Sequence, residues 1–206
     1  MASVNEINIG DKKNMHYYDP KEGEKNKYVS LVPKQLYPCH AKEMTTREVN
    51  VKGKYKARVY NIVYEVAQEC ETMTYQSSVP DVGEVSGSHF VGKKLYATGI
   101  FMFLNPGPGD NFESNNGGNE TYLRFCEAIK VDCPEVEVDV NGEKRMVKQM
   151  PELTEADVLG SAIMGYVDTQ TYKNAEGETK TAFKVKSFSE WSDGKKKDFE
   201  LQDLPF

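Results

Sequence analysis

Alternating apolar and polar residues predict five main strands along this chain. The clearest alternation lies in KYKARVYNIVYEVAQE, residues 54–69, where every second residue shares its chemistry. The same criterion predicts four more strands, at 35–49, 93–104, 161–173 and 179–191. The loop NAEGE joins the last two strands as a hairpin.

The strand at 54–69 has two different faces. One face begins cationic and continues aromatic, and it comprises Lys54, Lys56, Arg58, Tyr60, Ile62 and Tyr64. The other is mostly apolar, so we expect it to face the core: Tyr55, Ala57, Val59, Asn61 and Val63. In the strand at 93–104 we expect a core face of Leu95, Ala97, Phe101 and Phe103, opposite Lys94 and Tyr96.

Other patterns lie between these strands. An apolar stripe of Tyr122, Phe125, Cys126 and Ile129 predicts a helix capped by Asn119. Asn141-Gly142 between alternating segments predicts an accessory β-hairpin at 135–148. LTEADVLG predicts one capped helical turn beginning at Thr154. Segments rich in Ser, Gly, Pro and acids predict long loops, at 71–92 and 105–118.

This order of elements predicts the fold class. Three strands, a helix, a ribbon and two strands match an OB fold, an all-β five-stranded barrel with one helix. Other small β-rich folds share the same order. We expect an N-terminal arm at 1–30, the OB domain at 31–193 with its accessory hairpin, and a C-terminal tail at 194–206.

Composition narrows the class of protein. Apolar residues make up 38% of the 206 residues, and no apolar run approaches the ~20 residues that a membrane span needs. The segment MASVNEINIGDKKN lacks the apolar core of a signal peptide, so we expect a cytoplasmic protein without membrane partners. The four Cys and three His complete no zinc-ligand spacing, so we expect no metal and buried, reduced thiols.

The net charge of −6 is unevenly distributed along the chain. Residues 31–70 hold seven Lys or Arg against four Glu, whereas residues 105–158 hold five against twelve Asp or Glu. Because a binding face responds to its local field, this separation is compatible with an anionic ligand.

No catalytic motif is present in the sequence. GxSxG, HExxH and the Gly-rich Lys-Ser/Thr phosphate loop are all absent. We therefore expect a protein that is not an enzyme and carries no cofactor. A metal-dependent nuclease or recombination enzyme remains an alternative, because carboxylates distant in sequence can converge in the fold.

Aromatic residues interleaved with Lys and Arg on strands favour single-stranded DNA as the ligand. Cations neutralise phosphates and flat side chains stack on unpaired bases. The candidate residues are Lys54, Lys56, Arg58, Tyr60, Tyr64, Lys94, Tyr96, Lys180, Lys184, Lys186 and Phe188. The same residue types also form ordinary strands, so core or cross-strand packing is the alternative for each aromatic ring. An OB-fold adaptor that binds RNA or protein is an alternative interpretation, because it would show the same sequence pattern.

Several runs resemble phage-encoded single-stranded DNA-binding proteins with an OB fold. They are GKYKARVYNIVYEV, FVGKKLYATGIFMFLNP, LRFCEAI and VLGSAIMGYVDTQTYKNAEGETKTAFKVKSF, and the resemblance covers about residues 31–191. It implies a protein that coats single-stranded DNA in phage DNA replication, recombination and repair, in the host cytoplasm. The segments 71–90 and 135–148 look like additions to the family pattern, so no role carries over to them.

The C-terminal FELQDLPF carries a second resemblance. Asp203, Leu204, Pro205 and Phe206 match the Asp-Ile-Pro-Phe tip of bacterial single-stranded DNA-binding proteins, with Leu in place of Ile. That tip implies a peptide that binds replication or recombination proteins. Fewer acids precede it than is usual, which weakens any expectation that the tail screens the DNA groove. A homodimer is one of the oligomeric states that the sequence leaves open.

Overall fold

The computed structural model describes residues 30–53, 55–77, 83–104, 116–140 and 142–197. The chain divides into two units, Met1–Ser30 and Leu31–Phe206, and the described strands and helices belong to the second unit. This unit is mostly β-sheet with few helices, as the sequence predicts.

The described elements follow the predicted order with additions. The strands are β1 (Gln35–Val51), β2 (Tyr55–Val66), β3 (Thr74–Gln76), β4 (Glu84–Ser86), β5 (Lys94–Phe103), β6 (Glu135–Val140), β7 (Glu143–Lys148), β8 (Ala162–Lys173) and β9 (Thr179–Glu190). The α-helices are α1 (Asn116–Ala128) and α2 (Glu155–Val158). Two short 3₁₀ helices complete the set, at Gln68–Thr72 and Gly87–His89.

The main sheet has the strand order of an OB barrel. Its five antiparallel strands run β5-β2-β1-β8-β9, and an OB barrel pairs the two edge strands of such a sheet. Here β5 and β9 approach with Cα atoms within 8 Å, but no hydrogen-bonded ladder joins them within the described residues. The sheet is therefore barrel-like without closure, and α1 contacts both edge strands beside this seam.

Tyrosine and phenylalanine rings fill the core. The largest fully buried side chains include Tyr37, Tyr60, Tyr64, Phe90, Tyr122 and Phe125. A buried hydroxyl needs a partner, and the Tyr122 hydroxyl donates to Pro151 O at 2.6 Å and accepts from Leu153 N at 3.3 Å. This ring therefore ties α1 to the segment that leads into α2.

Three β-bulges interrupt the described part of the main sheet. The extra residue is Lys42 in β1 and Lys186 in β9, and in β5 the pair Thr98-Gly99 lies opposite the single residue Asn61. A bulge transfers the following side chains to the other face relative to simple alternation. Some side chains of the sheet therefore lie on the face opposite to the predicted one. The cause is either one of these bulges or, in β2, an incorrect assignment of the core face.

Two predictions about loops and caps were wrong. The 71–92 segment contains the small β3–β4 hairpin and 3₁₀ turns, and the Tyr75 ring stacks on Tyr37 with centroids 4.6 Å apart. Asn119 lies inside α1, and its Oδ1 accepts from Phe103 N at 2.9 Å instead of capping the helix. Residues 105–115 of the predicted loop lie outside the described residues.

Other local predictions are confirmed. Thr154 and Asp157 form a capping box at the start of α2, and β6 pairs with β7 as the predicted ribbon. Lys144 Nζ and Glu137 Oε1 join its two arms at 2.7 Å. Cys39, Cys70 and Cys126 are free and buried, whereas Cys133 is only half-buried, contrary to the prediction.

Candidate nucleic-acid interface

Two tyrosines of β2, Tyr60 and Tyr64, lie in the core. Tyr60 and Tyr64 have 0% of their surface exposed, so the prediction that they lie on an open binding face was wrong. Both rings lie opposite buried residues of β5, with Tyr60 paired to Ile100 and Tyr64 to Leu95. From Tyr60 onward the two faces of β2 are reversed with respect to the prediction, because the aromatic set is there the more apolar one. Before that point Ala57 and Val59 are buried, as predicted.

The cationic end of that face is only partly available. Arg58 forms ion pairs with Glu48 and Glu152, and the Arg58 Nη2 to Glu48 Oε1 distance is 2.9 Å. These carboxylates neutralise the predicted phosphate ligand Arg58. Lys56 is exposed on β2, and Lys54 lies outside the described residues.

The outward face of β2 and β5 carries four aromatic rings, which we call the aromatic face: Tyr55, Tyr96, Phe101 and Phe103. Tyr96 is 49% exposed, and Phe101 and Phe103 are half-buried. Phe101 and Phe103 lie 6.4 Å apart and nearly parallel, and Tyr55 meets Phe103 edge-on at 5.8 Å. The prediction of Phe101 and Phe103 as core residues was therefore wrong.

The bulge in β5 is the reason for that error. Leu95 and Ala97 face the core before it, and Ile100 and Met102 face the core after it. Simple alternation, continued past Gly99, assigns Phe101 to the wrong face. A glycine inside a strand is the sequence signal for such a bulge, and Gly99 has a φ of +76°.

Charges on this outward face nearly balance. The Lys94 Nζ lies 2.9 Å from Glu43 Oε1, and Lys42 pairs with Glu65 at 3.4 Å. The hydrogen bond that Lys94 donates to Glu43 raises the pKa of Lys94, so this ammonium stays charged. Arg47 lies opposite Val59 in the β1–β2 ladder and is exposed. It was not among the predicted ligand-binding residues, because nothing in the sequence distinguishes it from an ordinary solvated strand residue.

The predicted residues of β9 do not join the aromatic face. Lys180 pairs with Glu178 at 2.7 Å, and Lys184 lies opposite Asp168 in the β8 ladder. Burial, and then the charge of Lys186, lower the pKa of Lys184. In the sheet order β1 and β8 separate these lysines from β2, and β9 approaches the aromatic face only across the seam with β5.

Phe188 faces inward, contrary to the prediction. The bulge at Lys186 places Phe188 opposite Gly165, and its ring lies 5.2 Å from that of Phe125 in α1. Phe183 is half-buried on the face of Val185.

Some predictions fall beyond what the structure describes. The tail residues Asp203, Leu204, Pro205 and Phe206 lie outside the described residues. Within the described ranges, no three His, Cys, Asp or Glu side chains form a group that could hold a metal ion. In the same ranges no helix has the length and apolar character needed to cross a membrane.

Comparisons of the chain with protein-family models, with curated proteins and with solved structures give no match.

Proposed function

We propose that this protein binds single-stranded DNA without sequence specificity, and coats and protects it during replication, recombination and repair. The observation that supports this proposal best is the aromatic face on an OB-type sheet. Four rings lie on the outward side of two paired strands, where unstacked bases can reach Tyr96 directly. A stacking surface accepts every base, because each base has a π-face.

Cations around the aromatic face would hold the phosphates. Arg47 on β1 is exposed opposite Val59, and Lys94 borders Tyr96. Lys56 is exposed at the end of β2, on the face opposite to Tyr55. A phosphate that reaches Lys94 would compete with Glu43 for an exposed ion pair, and exposed pairs are weak. We expect affinity to fall as salt rises, since each neutralised phosphate releases counterions.

The resemblance of the sequence to phage proteins supports the proposed setting. We propose that the protein acts in the cytoplasm of an infected host cell and recruits replication or recombination proteins through residues 203–206. In that arrangement the sheet would hold DNA while the tip binds a protein partner.

A titration tests the proposed function. A labelled (dT) oligonucleotide, the same length of duplex DNA and the matching ribo-oligonucleotide are each titrated at two salt concentrations, with fluorescence anisotropy as the readout. We expect tight, salt-dependent binding to (dT) and weak binding to duplex. Equal binding to both DNA forms, or no binding, would overturn the proposal. Preference for the ribo-oligonucleotide would favour an RNA adaptor, and cleavage on addition of Mg²⁺ would favour a nuclease.

A further inference from the structure

A small polar pocket lies between α1 and β9, outside the aromatic face. Its volume is about 170 Å³, and its lining residues are Glu120, Thr121, Arg124, Lys186, Ser187 and Phe188. Pockets for drug-sized molecules measure roughly 300–1,000 Å³. The pocket therefore suits a small polar group rather than a whole nucleotide.

Two cations and two hydroxyls line this pocket. Arg124 donates one hydrogen bond to Glu120, with Nη2 and Oε1 2.5 Å apart. An exposed ion pair of this kind is weak. Lys186 forms no ion pair within the described ranges, and it donates only a long hydrogen bond of 3.5 Å to Gln170 Oε1. Arg124, Lys186 and the hydroxyls of Thr121 and Ser187 can all donate to an oxyanion.

The bulge in β9 brings the three β9 residues to the pocket. Lys186 is the extra residue, and Ser187 and Phe188 follow it. Phe188 packs against Phe125 and forms an apolar wall. Bulges frequently redirect side chains beside functional sites.

The pocket lies close to the aromatic face along α1. A Cβ atom on Gly118 would collide with the Phe103 ring, so the start of the helix touches that face. Arg124 follows Gly118 by six residues, about 9 Å along a helix with a rise of 1.5 Å per residue. A stacked strand with a rise of ~3.4 Å per nucleotide covers this distance in about three nucleotides.

We propose that this pocket binds one backbone phosphate of a strand whose bases stack on the aromatic face. Arg124 and Lys186 hold the phosphate oxygens, and Thr121 and Ser187 complete the donor set. The strand then passes from Phe103 across the first turns of α1 to β9. This inference rests on the proposed function, and it adds a defined path for the nucleic acid.

Salt-dependent binding of a (dT) oligonucleotide tests the pocket. The double variant Arg124→Gln/Lys186→Gln should bind roughly tenfold more weakly, as expected for the loss of one charge-assisted contact. The slope of log K against log salt should become shallower by about 0.7, the value for one phosphate on a single strand. Glu120→Gln should act in the opposite direction and tighten binding, because it removes a negative charge from the pocket.

A charge-matched control separates the pocket from net charge. Lys144→Gln/Lys148→Gln removes two cations from β7 and should leave the slope unchanged. A 5′-phosphorylated oligonucleotide distinguishes a terminal phosphate from a backbone phosphate, and we expect both forms to bind equally. Stronger binding of the phosphorylated form that depends on Arg124 would overturn the backbone assignment.

The outcomes also distinguish the two proposals. If the wild-type protein does not bind (dT), the proposed function and the pocket both fail. If the wild-type protein binds and the double variant keeps its affinity and slope, the pocket alone is overturned. Circular dichroism melting confirms the fold of each variant, and Glu120→Gln tests the pocket even if the double variant unfolds.

Discussion

The side-chain Oδ1 of Asn61 accepts a hydrogen bond of 3.0 Å from the backbone N–H of Gly99. This bond joins β2 to β5 where two residues of β5 oppose one residue of β2. It satisfies an N–H that the bulge removes from the regular ladder. Beyond this point Phe101 and Phe103 face outward, so the bond holds the backbone geometry that creates the aromatic face.

Replacement of Gly99 by alanine should destabilise the protein by about 1–2 kcal/mol, because a side chain disfavours a positive φ. The φ of Gly99 is +76°, and a new Cβ would lie 3.3 Å from the Phe101 ring. Urea unfolding measures the loss in free energy of unfolding. Thr98→Ala, the neighbouring change within the bulge, should cost less. Equal losses for both variants would contradict a special role for Gly99.

Tyr64→Phe should stabilise the protein by about 1 kcal/mol, because it removes a buried hydroxyl without a partner. The Tyr64 hydroxyl has no hydrogen bond among the described residues, and its ring has 0% exposure. Tyr60→Phe is the matched control and should not stabilise, since the Tyr60 hydroxyl has a partner, the Tyr122 hydroxyl at 3.4 Å. Thermal and urea unfolding check both, and destabilisation by Tyr64→Phe would contradict the prediction.

Tyr96→Ala should weaken binding of (dT) about tenfold or more, because stacking on one base contributes roughly 1–3 kcal/mol. Tyr96 is 49% exposed, so the fold should tolerate the change. Tyr172→Ala is a matched control, since Tyr172 is 50% exposed on β8, outside the aromatic face. Anisotropy titrations compare the two variants. An equal loss of affinity in both would show that the aromatic face is not the principal surface.

The sequence predicts where the strands lie better than it predicts which face of each strand is buried. Alternation locates β1, β2, β5, β8 and β9 because a half-buried strand repeats every two residues. That rule assumes an unbroken ladder, and the bulges at Lys42 and Lys186 carry no glycine or other local signal. Gly99 is the exception, since its position inside a strand indicates the bulge that reverses Phe101.

The β2 faces were misassigned for a different reason. Lys56 and Arg58 share one face with Tyr60 and Tyr64, and the charged residues suggested that the whole face is exposed. The strand extends past the barrel, so one face is buried along part of its length and open at its end. Only the tertiary contacts of α1, such as Tyr122 against Tyr60 at 5.3 Å, show where burial begins.

Acid should reduce stability partly through His40. Burial lowers the pKa of His40 below its usual 6.5, so the folded state favours the neutral ring. Its Nε2 lies 3.1 Å from Lys195 O, and its ring lies 5.4 Å from Trp191. The unfolded chain binds the proton more readily, so this stabilisation is present above about pH 6.5 and is lost as pH falls below that value.

The variant His40→Gln should therefore show a smaller loss of stability between pH 7.5 and about pH 5 than the wild-type protein. Urea unfolding at both pH values measures the difference. The charges of Lys42, Glu69 and Lys197 also affect the pKa of His40. None of these three residues is substituted in the comparison. His89→Gln, at an exposed position, is the control and should keep the wild-type pH dependence. An unchanged pH dependence in His40→Gln would contradict this assignment.

Removal of residues 203–206 should leave binding of (dT) and thermal stability unchanged, because the proposed DNA contacts lie on β1, β2, β5, α1 and β9. The last described residues already contact the domain through Lys197 N, which donates to Gly160 O in the turn before β8 at 2.9 Å. A synthetic peptide that ends in DLPF should bind the same replication or recombination partner as the full chain, and Phe206→Ala in that peptide should abolish binding. Calorimetry with the partner measures both peptides. Loss of DNA binding or folding in the truncated protein would show that the tip is structural.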